Sequence, residues 1–282
     1  MDVFIKKPDV VLQDMVRSGT KKNDTEMISL ILKAVFAGVF IALSAASSSA
    51  AIYGIENTGL AKTLAGVIFP VGLMMVIMLG GELFTGNCLV FFSRMSGQSS
   101  TLDVLRILVV VYLGNMLGAA LIAIMVFSCG QFDYGAGMLG GFAIKIAVGK
   151  VVQTPVRLFV SANLCNILVC LSVLMANACK DVVGKMLAAF FPILAFVVGG
   201  YEHCVANMYY IPAGILAMTN PAYREVAMTH YGITAAQMEC LNLKTFFVSN
   251  LIPVTLGNLV GGVLLIAVPF YVIYRKKEEA LL

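Results

Sequence analysis

The chain has 282 residues, of which 60% are hydrophobic and 12% are charged, and its mean hydropathy is +0.94. A soluble domain carries about a quarter charged residues and at most half apolar ones, so this composition excludes a soluble globular protein, a disordered chain and a disulfide scaffold. The net charge of +4 is too small to indicate nucleic acid as a partner. The composition therefore predicts an all-α integral membrane protein.

Six stretches of the chain are long and apolar enough to cross a bilayer, which takes about 20 mostly apolar residues. They cover residues 28–53, 60–92, 104–127, 158–178, 186–218 and 246–274. The second and fifth stretches are too long for one straight crossing, and polar residues interrupt both. The predicted domains are an N-terminal segment (1–26), a six-span domain (27–275) and a tail (276–282).

The basic residues predict which way the spans face. Six crossings put both termini on one side, and with that side inside, 12 of the 19 Lys and Arg fall in inner segments and 6 in outer ones. Inner loops carry the excess of basic residues, so both termini are predicted to be cytoplasmic, in the inner membrane. The N-terminal segment is predicted to be either an amphipathic helix at the membrane interface or at the pore mouth, broken near Pro8, or a plain cytoplasmic tail.

Two landmarks recur in the same order in both halves of the chain. Residues 113–121 and 256–264 both read LGNxxGxxL, and a Phe-Pro pair followed by Gly-Gly and Glu occurs in spans two and five. We therefore predict two three-helix repeats, 27–128 and 157–274, which are inverted because each has an odd number of crossings. The matched Asn115 and Asn258 are expected to bond neighbouring helices.

The glycine pairs are predicted to break spans two and five. Unwound backbone at membrane depth is tolerated only where protein or a water-filled cavity surrounds it, so the two matched breaks indicate a permeation site. Glu82 and Glu202 follow the glycines, and each is expected to cap the half-helix after it. His203 is the one histidine within a span, and its imidazole can supply a proton or a hydrogen bond near neutral pH.

Three segments carry a family resemblance: residues 81–85 (GELFT), 200–208 (GYEHCVANM) followed by Ile211-Pro212, and 250–258 (NLIPVTLGN). With them the chain resembles the formate/nitrite transporter family over nearly its whole length, although that family usually has Asp at the position of Glu82. The resemblance implies an aquaporin-like fold of six spans, assembled as a homopentamer with one pore per protomer. It also implies passage of small monovalent weak-acid anions, namely formate, nitrite or hydrosulfide.

The resemblance implies roles for particular residues. Thr85 and His203 would line the centre of the pore, with Asn166 and Asn207 nearby. The apolar constrictions would be formed by Phe69, Leu73, Val169 and Phe196, and Lys150 would attract anions near the outer vestibule. A bare anion is costly in an apolar constriction, so a proton passed from or through His203 would let it cross as the neutral acid. Glu202, next in sequence, would bias the protonation of that histidine.

Two transport mechanisms stay open, because a channel and a proton-coupled secondary transporter of the same anions need the same site. A membrane-embedded enzyme is disfavoured, since the sequence has no HExxH, no GxSxG, no cluster with metal-ligand spacing and no paired acids at catalytic spacing. A purely structural membrane protein is disfavoured because it would not need two polar breaks. No cofactor is expected, and the sequence does not decide between the three anions.

Overall fold

The computed structural model describes residues 5–275, in which the regular structure is helical apart from one β-bridge between Ile5 and Cys179. The predicted tail at 276–282 and the first four residues lie outside the described residues. The first seven helices are α1 (Pro8–Asn23), α2 (Met27–Ile52), α3 (Thr58–Ile68), α4 (Val71–Leu79), α5 (Phe91–Met95), α6 (Thr101–Ser128) and α7 (Met138–Val151). They are followed by α8 (Pro155–Ala178), α9 (Val182–Gly199), α10 (Cys204–Ala217), α11 (Pro221–Thr229), α12 (Ala235–Glu239) and a final long helix, Thr245–Tyr274.

Six helices of the described part are long and apolar enough to cross a membrane. They are Met27–Ile52, Thr58–Leu79, Thr101–Ser128, Pro155–Ala178, Val182–Gly199 and Thr245–Tyr274. Each lies within or overlaps one of the six apolar stretches of the sequence. The final helix is continuous but includes two π-helical stretches, Thr245–Leu251 and Val260–Ala267.

Both predicted breaks are present, and a glycine ends the helix before each. α4 ends at Gly80 with φ +73°, and α9 ends at Gly200 with φ +69°. This left-handed conformation is costly for any residue with a Cβ, which is why glycine stands at both helix ends. The chain then runs without regular structure to a short 3₁₀ helix, Gly86–Val90, after the first break, and to α10 after the second.

The N-terminal segment is mostly a packed amphipathic helix. Pro8 begins α1 instead of breaking it, since the first turn of a helix does not use the N–H that proline lacks. Val11, Leu12 and Val16 on one face of α1 are buried in a cluster that includes Phe92. The alternative of a plain tail is therefore wrong for the described part of this segment.

The bundle has two ends, called here the α1 end and the opposite end. α2 starts next to α1 and has 26 residues, which span about 39 Å. The connection between α2 and α3 therefore lies at the opposite end. The hydroxyl of Tyr231, which follows α11, lies 2.8 Å from Tyr53 O in that connection and 3.1 Å from Met138 O at the start of α7.

The LGNxxGxxL motifs mark two close helix crossings. A Cβ on Gly118 of α6 would collide with Val35 O of α2, and a Cβ on Gly261 of the final helix would collide with Asn163 O of α8. Small residues allow membrane helices to approach this closely. The motif glycines therefore pack α2 against α6, and α8 against the final helix.

Candidate functional site

One asparagine holds the first broken segment in place. Asn115 of α6 accepts a hydrogen bond from Phe84 N (2.9 Å) and donates to Glu82 O (2.8 Å) and to Ala34 O of α2 (2.7 Å). The side chain is completely buried. These bonds satisfy backbone groups that the break removes from helical pairing.

A second asparagine does the same for the other break. Asn258 of the final helix accepts from Cys204 N (2.9 Å) and donates to Glu202 O (3.0 Å) and to Ala162 O of α8 (2.8 Å). Asn258 is also completely buried. The predicted bonding to neighbouring helices is therefore observed, and each asparagine additionally fixes a broken segment.

Thr85 and His203, one from each broken segment, meet in the interior. Thr85 Oγ1 and His203 Nε2 are 2.9 Å apart, and both residues are at most 2% exposed. The other ring nitrogen, His203 Nδ1, accepts the Ala206 N–H at 3.1 Å and so caps the start of α10. The ring is thus held from two sides.

The prediction that Glu82 and Glu202 cap the following half-helices is wrong. His203 occupies the cap position of α10, and the short helix after Glu82 has no side-chain cap. Each carboxylate instead lies within reach of a lysine ammonium, so that both partners of the bond carry a charge.

Glu202 belongs to a closed ring of polar side chains. Lys150 Nζ lies 3.1 and 3.0 Å from the two carboxylate oxygens of Glu202. Asn207 Nδ2 donates to Glu202 (2.6 Å) and to Asn250 Oδ1 (2.8 Å), and Asn250 Nδ2 donates back to Lys150 O (2.9 Å). Lys150 is therefore an ion-paired residue with only 15% of its side chain exposed.

Glu82 has a matching arrangement at the α1 end. Lys22 of α1 lies 2.6 Å from Glu82, Asn87 Nδ2 donates to the same carboxylate (2.9 Å), and Lys22 also donates to Asn87. Sequence reasoning missed Lys22, Asn87 and the role of Asn250. For Asn87 the sequence does carry a signal, which is its spacing from the glutamate. Asn87 lies five positions after Glu82, just as Asn207 lies five positions after Glu202.

Two phenylalanines extend the interior contact between the broken segments. The rings of Phe69 and Phe196 meet edge to face with centroids 5.5 Å apart, and Phe196 stacks on His203 at 6.0 Å. All of these side chains are buried. We call Phe69, Phe196, His203 and Thr85 the central layer.

Cavities approach the central layer from both ends. The α1 cavity has a volume of about 330 Å³ and is lined by Lys22, Glu82 and Leu73. The opposite cavity, of about 780 Å³, is lined by Ala65, among others. Ala65, Phe69 and Leu73 lie on successive turns of the same broken span, so one helical wall leads from one cavity to the other through the central layer.

The remaining predicted site residues lie on α8 beside this layer. Asn166 donates to Asn258 O (2.6 Å) and to Cys88 Sγ (3.3 Å), and it is completely buried. Val169 is 1% exposed. Of the predicted site residues, the structure brings four into a continuous chain of contacts: Phe69, Phe196, His203 and Thr85. A separate ring contains Glu202, Lys150 and Asn207. The adjoining helix α8 carries Asn166 and Val169.

Two cavities on either side of a buried layer, within a bundle of apolar helices, are typical of a multi-pass membrane transport protein. A family model described as formate/nitrite transporter matches residues 9–272. The chain therefore belongs to the formate/nitrite transporter family.

Individual relatives and structures agree with this membership. The chain is 39% identical to the formate channel FocA of Haemophilus influenzae over 74% of this chain and 73% of that protein. It is 35% identical to a probable formate transporter of Methanothermobacter thermautotrophicus, over 91% of this chain and 92% of the other. A solved pentameric formate channel with formate bound is 33% identical, with a TM-score of 0.77 over 89% of this chain and 98% of that chain.

Proposed function

We propose that this chain is a channel that passes small monovalent weak-acid anions across the cytoplasmic membrane, with formate, nitrite and hydrosulfide as the candidates. The observation that carries the proposal is the Thr85–His203 hydrogen bond, which lies in a buried layer between two cavities. Relatives named as formate channels make formate the first anion to test.

We further propose the topology of two inverted three-helix repeats in an aquaporin-like fold, assembled as a homopentamer. The equivalent hydrogen bonds of Asn115 and Asn258 support the repeat. The excess of basic residues on the side of the termini supports a cytoplasmic α1 end. The similarity to a solved pentameric channel supports the pentamer.

The hydrogen bonds of His203 define which ring nitrogen carries its proton. Nδ1 accepts the Ala206 N–H, so the neutral imidazole must bear its hydrogen on Nε2. Nε2–H then donates to Thr85 Oγ1, and the Thr85 hydroxyl hydrogen is left to donate to a bound anion. The pair therefore presents a directed hydrogen-bond donor in an otherwise apolar layer, which lowers the cost of an anion there.

We propose that a proton reaches the anion through the same hydrogen bond between His203 and Thr85. A proton first arrives at Nδ1, so the cap on Ala206 N must open, which costs about 1 kcal/mol, and the ring becomes a transient imidazolium. Nε2 then passes its proton to the anion directly or through the Thr85 hydroxyl, and the neutral acid crosses the layer. Beyond the layer the acid returns its proton to Nε2, and loss of the proton on Nδ1 restores the resting ring. His203 thus assists protonation of the anion without holding a permanent charge.

Lys150 has a place in this mechanism at the outer mouth. Its ammonium has three N–H donors and gives two of them to Glu202. One donor is left for an arriving anion. Because Glu202 balances its charge, Lys150 acts by a directed bond at short range more than by long-range attraction.

The alternative function is a proton-coupled secondary transporter of the same anions, in which His203 carries one proton per anion. The two functions differ in charge movement. In the channel the acid returns its proton to His203 and an anion current flows, whereas one-to-one coupling carries the proton across with the anion and is electroneutral. Formate current across a voltage-clamped bilayer supports the channel. Formate uptake without current supports the coupled transporter.

Reconstituted protein tests the proposal directly. Purified pentamers in liposomes are given formate, nitrite or hydrosulfide at several pH values, with acetate as a larger control anion and protein-free liposomes as the blank. We expect fast uptake of at least one of the three anions and slow uptake of acetate. Folded pentamers that take up none of the three would contradict the proposed function.

A further inference from the structure

The opposite cavity is far larger than its proposed cargo requires. Its volume of about 780 Å³ is in the range of pockets that hold drug-sized ligands, whereas formate has three heavy atoms. Lys62 and Lys145 line it, and both side chains are exposed. Neither makes an ion pair within residues 5–275, in contrast to Lys150.

Lys145 of α7 is held in a fixed position by aromatic rings. Its ammonium lies 5.1 Å from the ring centroid of Tyr231 and 5.5 Å from that of Phe142. Tyr231 is itself anchored, since its hydroxyl lies within hydrogen-bond distance of two backbone carbonyls, Tyr53 O (2.8 Å) and Met138 O (3.1 Å). Cation–π contacts do not neutralise the charge of an ammonium, so Lys145 presents a positioned charge to the cavity.

Lys62 of α3 stands at the inner end of the same cavity, next to the second broken segment. A Cβ built on Gly200 would lie 3.7 Å from Lys62 Nζ, so this ammonium rests against the start of that segment. Ala65 follows Lys62 on the cavity wall, and Phe69 of the central layer follows Ala65 one turn later. Lys62 is therefore about two helical turns, or about 10 Å, from Phe69 of the central layer.

The charge of the cavity favours anions. Glu56 is the one carboxylate among its described lining residues, and it is exposed. We propose that Lys62 and Lys145 form an anion-binding antechamber, which takes small carboxylates and similar monovalent anions before they reach the central layer. The inference rests on the proposed function, because it names where the transported anion first binds.

The proposal has two consequences that a plain pore mouth would not have. Two ammonium groups without ion-pair partners, against the one carboxylate of Glu56, raise the local anion concentration. The rate of uptake at low formate is therefore expected to fall by roughly tenfold as the ionic strength rises. The cavity also admits a bulkier carboxylate that the central layer excludes. External benzoate is therefore expected to compete with formate without being transported.

The test compares wild type with Lys62→Gln/Lys145→Gln in the liposome assay. We expect the double variant to lose roughly tenfold in uptake at subsaturating formate, to lose its salt dependence and to resist benzoate, while saturated uptake stays unchanged. Lys62→Arg/Lys145→Arg keeps both charges and should behave like wild type. Lys244→Gln is the matched control, because Lys244 is exposed at the same end but outside the cavity lining.

The outcomes separate this inference from the proposed function. Wild-type pentamers that pass none of the anions defeat the proposed function. Wild-type pentamers that pass formate, beside a double variant that matches Lys244→Gln in salt dependence and benzoate inhibition, overturn the antechamber alone. Loss of saturated uptake in the double variant, with the arginine pair also impaired, would overturn it too, because charge would then not be the property that matters.

Discussion

Asn115 and Asn258 make the same three hydrogen bonds at corresponding places in the two halves of the chain. Each accepts one bond from a backbone N–H of a broken segment, and donates one to a carbonyl of that segment and one to a carbonyl of a neighbouring long helix. The two broken segments are thereby fixed to the bundle, and Thr85 and His203 are brought within hydrogen-bond distance.

Replacement of either asparagine by leucine should destabilise the fold strongly. Asn115→Leu or Asn258→Leu removes the partner of one backbone N–H and one carbonyl in a buried broken segment, at about 1–3 kcal/mol for each group. We expect a loss of about 2 kcal/mol or more, measured as a lower melting temperature of the pentamer by circular dichroism. Asn163→Leu is the control, since Asn163 donates one bond within its own helix. Equal melting temperatures for the three variants would contradict the role assigned to Asn115 and Asn258.

Removal of the Phe196 ring should relax selection by size. In Phe196→Ala the central layer loses the side chain that contacts both Phe69 and His203. We expect the ratio of acetate to formate uptake to rise several-fold in liposomes. Phe191→Ala provides a matched control on the same helix, because Phe191 is 60% exposed. An unchanged ratio in Phe196→Ala would show that Phe196 does not narrow the path.

Replacing Lys150 alone should cost more folding stability than replacing Lys150 and Glu202 together. Lys150→Met leaves a carboxylate that is only 5% exposed without its partner, which costs about 3 kcal/mol or more. Lys150→Met/Glu202→Gln removes both charges and keeps an acceptor for Asn207, so we expect much of the stability to return.

Thermal melting of the four species of this cycle measures the coupling between the two residues. The same cycle on Lys22 and Glu82 should give a smaller coupling, because these side chains are more exposed, at 20% and 13%. A double variant of Lys150 and Glu202 that is as unstable as the sum of its single variants would argue against the ion pair.

An alkaline transition is expected at the opposite end. Tyr223 of α11 donates to Asp133 at 2.5 Å, and burial, together with this neighbouring carboxylate, raises the pKa of Tyr223 to about 12. An unfolded tyrosine has a pKa of about 10, so the stability from this bond is intact below about pH 10 and is lost as the pH rises through about 12. The difference in melting temperature between wild type and Tyr223→Phe should therefore shrink over this range. A constant difference would contradict the assignment.

The helices and their breaks could be predicted from the sequence because both depend on local patterns. Apolar runs long enough to cross a membrane predicted the long helices. Gly80 and Gly200 predicted the breaks, since only glycine readily takes the left-handed conformation there. The LGNxxGxxL motifs predicted structural asparagines. The pairing of Thr85 with His203 required the family resemblance, because these residues are 118 positions apart.

The polar partners could not be predicted because they depend on where separate elements pack. Lys22 reaches Glu82 across 60 positions only after α1 folds against the bundle. The capping prediction failed for the same reason, since Lys150 draws Glu202 away and leaves His203 at the start of α10. Asn250 joins the ring around Glu202 through the position of the final helix.

Formate uptake by His203 and Thr85 variants tests the central claim most directly. Wild type, His203→Asn, Thr85→Val and Thr85→Ser are reconstituted as intact pentamers, and initial uptake is measured over a series of pH values. We predict that wild-type uptake rises as the pH falls, that Thr85→Ser keeps this behaviour, and that His203→Asn and Thr85→Val lose at least roughly tenfold in rate, in line with the loss of a positioned donor. His203→Asn pentamers with wild-type uptake and wild-type pH dependence would contradict the account.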